Sequence, residues 1–249
     1  MSASAIQEHR VNVRGTDVRV WRAGDRNQSV LLLIHGAGAD RRDWEHTISA
    51  LSVYYRVYAP DLIGFGDSPR DNIPYTLETF REFIIELMDE LGIQNASLIG
   101  HSLGGRISLE VAATMPERIS RLVLIAPMGF GQLSILGRIV STSAWAIHKA
   151  ARIALPYPDM DLNLNAHESG EFAIIRQPTL LIWGSRDMYF PASHGWRAMK
   201  TLPDAQLKIY KGAGHSPHTA YPKHFTSDVL GFLSGRQQRI MRGCTSQAI

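Results

Sequence analysis

A single cysteine, Cys244, stands in a chain of 249 residues. No intrachain disulfide can form, so the fold needs no oxidising compartment and must stand on its packed core. There is no run of about 18 apolar residues, which leaves no candidate for a membrane-spanning helix. Residues 1–29 contain no apolar signal-peptide segment, and the expected location is the cytoplasm. The charge balance is slight, +3, and no dense Lys/Arg patch is interleaved with aromatics, so nucleic acid is not an expected partner. No G-x-G-x-x-G opens a helix and no His/Cys cluster shows ligand spacing, so neither an organic cofactor nor a metal is expected. One local absence matters below: from Leu122 to Pro158 there is no Asp or Glu.

What is present is a regular alternation. Apolar runs at 29–34, 55–59, 96–99, 119–126, 179–183 and 206–210 read as short buried strands. Helix-compatible stretches separate them at 42–51 with Asp40 as N-cap, at 106–114, at 194–202 and at 221–233. Residues 75–91 form the strongest amphipathic pattern, with Leu77, Phe80, Ile84, Leu87, Met88 and Leu91 on one face and Gly92 as C-cap. Segments 7–14 and 17–23 read as a hairpin around Gly15. Strands alternating with helices predict an α/β fold, a mostly parallel central sheet with helices on both faces. Ligands of such sheets bind beyond the carboxyl ends of the strands. Four clusters, 35–38, 100–105, 184–187 and 212–215, each follow a strand directly, so one sheet edge can gather them.

Gly100-His101-Ser102-Leu103-Gly104 is G-x-S-x-G between a predicted strand and a predicted helix, the setting of a nucleophile elbow. A serine hydroxyl is a weak nucleophile at neutral pH and needs a base, and the base needs an orienting acid. His215 follows a strand, is preceded by glycine and comes late in the chain; His218 is its nearest competitor. Asp187 lies just past the preceding strand, in the order Ser102, Asp187, His215 expected of this architecture. The acid-free stretch removes any carboxylate after the strand before that one, and Asp61 and Asp67 remain as rivals. Acyl transfer also develops an oxyanion, which two backbone N–H groups must meet. Leu103 N–H is one candidate, and Ala37 N–H in His35-Gly36-Ala37-Gly38 is the other.

These residues together resemble the α/β-hydrolase superfamily over about residues 7–235. His35-Gly36-Ala37-Gly38 looks like its oxyanion turn, and Asp61-Leu62-Ile63-Gly64-Phe65-Gly66-Asp67-Ser68 is similar to its D-x-x-G-x-G-x-S loop. Gly100 to Gly105 looks like the elbow, Trp183 to Asp187 the acid turn and Gly214-His215 the base turn. The resemblance implies a core over 1–128 and 177–249, with 236–249 as a tail, and a helical cap inserted after the sixth strand over 129–176. That cap is short for the family. Leu133 to Leu155 could supply one or two helices, with Arg138, Lys149 and Arg152 as the only charges among them. The expected role is a lid over the pocket; a basic amphipathic helix can also lie on a lipid surface. His35, His101, Met128 and Trp145 are the expected pocket residues.

Serine at the elbow sets the chain apart from the aspartate-dependent dehalogenases and epoxide hydrolases of the superfamily. Three readings stay open. The first is a serine hydrolase acting on a carboxylic ester, lactone or thioester. The second is a hydrolase of C–C bonds in the vinylogous diketones made by meta ring fission, whose 35–68 region is similar. The third is a ligand receptor on a hydrolase scaffold. The short cap favours an esterase. The partner is accordingly a small ester or ketone, and no oligomeric state is indicated.

Overall fold

The computed structural model describes residues 5–24, 29–70, 73–150, 158, 160–162 and 169–235. Its strands are β1 (Gln7–Val13), β2 (Thr16–Ala23), β3 (Val30–Ile34), β4 (Arg56–Pro60), β5 (Tyr75–Thr76), β6 (Ala96–His101), β7 (Ile119–Ile125), β8 (Met160–Asp161), β9 (Thr179–Gly184) and β10 (Ala205–Tyr210). Its helices are α1 (Glu45–Leu51), α2 (Leu77–Glu90), α3 (Leu103–Thr114), α4 (Ile135–Ala150), α5 (Ser193–Thr201), α6 (Pro217–Ala220) and α7 (Pro222–Leu233). Eight strands form one sheet in the order β1-β2-β4-β3-β6-β7-β9-β10. The pairs β1/β2 and β2/β4 are antiparallel, and every pair from β4/β3 to β9/β10 is parallel.

The central strands are apolar on both faces because both faces are covered. Alternation along each strand divides the side chains between two cores. Leu32, Ile34, Leu98, Leu122, Leu124, Leu181 and Trp183 face one core with residues of α2, α3 and α5. Leu31, Leu33, Ile99, Val123, Ile125, Leu180 and Ile182 face the other with Trp44, Ile48 and Leu51 and the α7 residues Phe225, Val229 and Phe232.

Three expected elements differ in their bounds. The helix expected over 42–51 is a 3₁₀ turn, Arg41–Trp44, running into α1, with Asp40 accepting from Arg42 N–H as its cap. The helix expected from Tyr75 begins at Leu77. Tyr75 and Thr76 are extended and pair with β8, and Thr76 Oγ1 caps α2 by accepting from Thr79 N–H at 3.1 Å. The elbow helix, expected from Arg106, begins three residues earlier at Leu103. Gly104 and Gly105 are poor helix formers, so local propensity hides its first turn. In the expected cap, α4 follows β7, the sixth strand of the main sheet. Residues 151–157 of the cap and the tail 236–249 with Cys244 lie outside the described residues.

Candidate active site

Each cluster singled out in the sequence follows the carboxyl end of a parallel strand: 35–38 after β3, the elbow after β6, 184–187 at the end of β9 and 212–215 after β10. Ser102 adopts φ 51° and ψ −109°. Positive φ is sterically costly for a residue with a Cβ, about 1–3 kcal/mol. The surroundings hold it there. Ser102 N–H donates to Ile125 O at 2.9 Å, and Ser102 O accepts from Arg106 N–H at 3.0 Å and Met128 N–H at 3.2 Å. Helix α3 can start so abruptly because Gly104 lies against the end of β3; a Cβ there would stand 2.6 Å from His35 O and closer still to Ile34 O.

The turn 36–38 is pressed onto the elbow. A Cβ on Gly36 would lie 3.3 Å from Ser102 Cβ and 2.9 Å from His101 Nδ1, so only glycine permits the approach. Ala39 N–H donates to Gly36 O and closes the turn. Among the described hydrogen bonds, none uses the N–H of Ala37 or of Leu103. Two donors are therefore free at the strand edge that carries Ser102.

His215 Nδ1–H donates to Asp187 Oδ2 at 2.8 Å. The other carboxylate oxygen, Oδ1, accepts from Tyr189 N–H at 2.9 Å and Phe190 N–H at 3.0 Å. Asp187 is thus locked as an acceptor and fixes the imidazole tautomer, leaving His215 Nε2 without its proton. The two turns are laced together. Arg186 N–H donates to Ala213 O at 2.8 Å and Gly212 N–H to Ser185 Oγ at 2.9 Å. The rings of Tyr189 and Phe190 pack on His215 at 5.0 and 5.6 Å between centroids. Burial pushes the His215 pKa down, the Asp187 hydrogen bond opposes this, and the neighbouring His101 lowers it further; the net shift is downward. A base kept neutral by burial and aimed by a carboxylate is what proton abstraction from a hydroxyl requires. No Ser102–His215 hydrogen bond occurs among the described contacts, as is common for such pairs before substrate closes the site.

The rival carboxylates are engaged elsewhere. Asp61 is fully buried, accepts from Arg41 N–H at 2.7 Å and Asp67 N–H at 2.8 Å, and pairs with the Arg41 guanidinium. Asp67 and Glu8 each meet the same guanidinium at 2.9 Å.

The expected pocket residues divide. Met128 is buried beside the elbow and lines a cavity of about 280 Å³ with Leu133, Arg138 and Phe190. Neither this cavity nor any other described is lined by Ser102, Asp187 or His215. Trp145 lies in α4, and its side chain is outside the described residues. His35 lines none of these cavities. It is completely buried, donates from Nδ1 to Gly36 O at 2.8 Å and accepts at Nε2 from Leu62 N–H at 2.9 Å. It latches the 35–38 turn to the 61–68 loop, so both ring nitrogens are spent on backbone. His101 also turns away from those cavities. Its Nε2–H donates to the backbone oxygen of His215 at 3.1 Å, and Nδ1 faces Asp43 at 3.5 Å.

His218, the competing base, is 1 % exposed and donates from Nε2 to Asp43 Oδ2 at 3.0 Å. Sequence reading missed Asp43 altogether. It sits in a 3₁₀ turn far from Ser102, Asp187 and His215 in sequence, and only the packing of that turn against α6 brings it to His218.

The profile of the alpha/beta hydrolase fold family matches residues 29–146. The chain has the α/β-hydrolase fold. Relatives of this hydrolase-fold chain include a carboxylesterase of Bacillus subtilis, YbfK, 26% identical across 90% of this chain and 87% of the relative. A second is the dihydrolipoyllysine-residue acetyltransferase component of an acetoin-cleaving system of Pseudomonas putida, 28% identical across 90% of this chain and 68% of the relative. Among solved structures, the meta-cleavage product hydrolase CumD of Pseudomonas fluorescens superposes with a TM-score of 0.76, covering 92% of this chain and 98% of that one at 24% identity. Fold and carboxylesterase relatives together mark this hydrolase-fold chain as a hydrolase. Among the described residues, no helix is long and apolar enough to cross a membrane.

Proposed function

We propose that this protein is a serine hydrolase of carboxylic esters working through an acyl-enzyme on Ser102. The observation that carries the reading is the 2.8 Å Asp187–His215 hydrogen bond at the sheet edge that also holds a strained Ser102. In this reading His215 Nε2 takes the Ser102 Oγ proton as Oγ attacks the ester carbonyl. The Leu103 and Ala37 N–H groups receive the oxyanion, each donor contributing about 2.7–4 kcal/mol in comparable sites. His215 then gives the proton to the departing alkoxide. Water, activated by the same nitrogen, releases the acid and restores Ser102. Asp187 stays ionised and orients the ring throughout. The carboxylesterase relative supports the ester class. Met128 N–H donates to Ser102 O and the Phe190 ring packs on His215, and both line the cavity with Leu133, Gln132 and Arg138, so in this reading that cavity takes the acyl group.

The test is fluorophosphonate labelling together with hydrolysis of p-nitrophenyl esters of increasing chain length. Wild type is expected to label at Ser102 and turn over esters. Ser102→Ala is expected to lose labelling and at least about 10⁴-fold in kcat, as when a triad serine is removed elsewhere. Full ester turnover by Ser102→Ala would end the proposal. Labelling without ester turnover, joined to cleavage of a vinylogous diketone, would move the chain to C–C hydrolysis, the reaction class that the name of the CumD neighbour indicates for that protein. Labelling with tight ligand binding and no turnover would point to a receptor.

A further inference from the structure

Behind the triad lies a second cluster that the proposed reaction does not use. Asp43, His101 and His218 each direct one ligand atom to a common point, and these atoms lie within 4.8 Å of one another. Asp43 Oδ2 stands 3.0 Å from His218 Nε2 and 3.5 Å from His101 Nδ1. His101 and His218 are 5 and 1 % exposed, and Asp43 is partly buried. Trp44 and Phe225 wall the His218 ring at 4.9 and 5.9 Å.

The hydrogen bonds leave one ring nitrogen of this cluster unused beside the carboxylate. A carbonyl oxygen can only accept, so His101 Nε2 must carry the proton it gives to His215 O. His101 Nδ1 is buried, without a hydrogen-bond partner, and turned toward the Asp43 carboxylate. Among the described ion pairs, Asp43 meets only these two imidazoles and no Lys or Arg. A buried carboxylate facing a lone pair is costly unless a cation joins them.

We infer that Asp43, His101 and His218 form a binding site for a divalent transition metal, with Zn²⁺ as the best match. Two imidazoles and one carboxylate are a normal donor set for zinc, whose bonds to nitrogen and oxygen run about 2.0–2.2 Å. Ligand atoms around a tetrahedral ion at such lengths stand about 3.3–3.5 Å apart; the two separations from Asp43 Oδ2, 3.0 and 3.5 Å, are close to this, and the two imidazole nitrogens, within 4.8 Å of each other, draw in on the ion. The metal displaces the proton on His218 Nε2, which leaves to solvent, and takes the His101 Nδ1 lone pair as it stands. The proton on His101 Nε2, held by His215 O, fixes the tautomer a metal-binding histidine needs. A Cβ at position 36 would stand 2.9 Å from His101 Nδ1, so glycine there leaves room beside that buried nitrogen. The ring of His101 lies 4.9 Å from that of His215. A dication beside it opposes the imidazolium that His215 must become, so metal binding slows ester turnover; that consequence rests on the proposed function, whereas the binding does not.

The test is a Co²⁺ titration of tag-free, chelator-treated full-length protein, followed by Zn²⁺ displacement. One Co²⁺ per chain is expected, with the visible bands of low-coordinate cobalt, bleached by Zn²⁺, and Zn²⁺ is expected to raise Tm. Asp43→Asn and His218→Gln keep hydrogen-bonding groups in place but remove a ligand. Each is expected to weaken binding by more than about 100-fold, beyond the loss caused by a residue that only supports a ligand. Circular dichroism checks that both variants fold. If neither does, zinc-edge X-ray absorption of the wild type decides, with two imidazoles in the coordination sphere expected. No cobalt spectrum, unchanged affinity in the two variants, or a sphere of oxygen or thiolate alone would each overturn the inference.

Discussion

The His215 ring carries opposed influences, and their sum sets the pH at which it can act as a base. Burial favours the neutral ring, the Asp187 hydrogen bond favours the cation, and His101 nearby favours the neutral ring again. The balance lies below the ordinary value of 6.5. A base must be neutral to accept the Ser102 proton, so kcat/KM should rise with pH through the His215 pKa and then level off. Its inflection is expected below 6.5. Asp187→Asn removes the influence that holds the pKa up, so it is expected to move the inflection lower still and to cost about 10⁴-fold in kcat through loss of the correct tautomer. A pH profile of p-nitrophenyl acetate hydrolysis for both proteins checks this, and a wild-type inflection above 6.5 would contradict it. The same residues show what the sequence could convey. The gathering of Ser102, Asp187 and His215 at one sheet edge was legible because each follows an apolar run, whatever their roles. His35 and His101 were misplaced because adjacency to a motif says nothing about which way a ring points.

At the scale of elements, Ser102, the proposed nucleophile, is presented by a close approach of α3 to β3. Gly104 is the contact point, with no room for a Cβ against Ile34 O and His35 O. Neighbouring Gly100 is equally confined, since a Cβ there would meet Ser108 Oγ and Gly104 O. Ser108 Oγ–H donates to Gly104 O at 2.7 Å and holds that first turn. Gly104→Ala must push α3 away from β3. It is expected to cost about 1–3 kcal/mol in stability, the usual range for overpacking, and to lower kcat through displacement of the Leu103 N–H. Denaturant melts and ester kinetics on the same variant measure both. Full activity with wild-type stability would show that the approach is dispensable. The glycines that build the elbow also explain why the start of α3 was read three residues late. Propensity scores a glycine against a helix, whereas packing selects it. The extended Tyr75 and Thr76 follow the same logic, because their partner strand β8 is remote in sequence and invisible to a local pattern.

At the scale of the whole molecule, the parallel sheet was legible because β3, β6, β7 and β9 are short apolar runs spaced by helices. The network of Asp43, His101 and His218 was not, because it joins a 3₁₀ turn, the end of a strand and α6 through tertiary packing alone. The same packing decides how the fold responds to acid. His35, His101, His194 and His215 all have pKa values pushed below 6.5, with burial the largest cause in each. In the unfolded chain these rings take up protons as pH falls through about 6.5, the reference value for histidine. The folded chain resists doing so. Between the unfolded pKa and the lower folded values, the unfolded state therefore binds more protons, and stability must decline as pH falls. Above about pH 7 both states hold neutral rings and the contribution is flat. The carboxylates with lowered pKa, Glu8, Asp40 and Asp43, add their loss only at more acid pH, below the ordinary values of 4.5 for Glu and 3.8 for Asp. Each ring kept fully neutral contributes up to about 1.4 kcal/mol per pH unit, and in a domain this size 1 kcal/mol moves Tm by about 2–4 °C. Thermal melts in metal-free buffer are expected to hold a constant Tm from about pH 8 to 7 and to lose several degrees by about pH 5.5. A Tm that stays level to pH 5.5 would mean that the buried imidazoles accept protons in place.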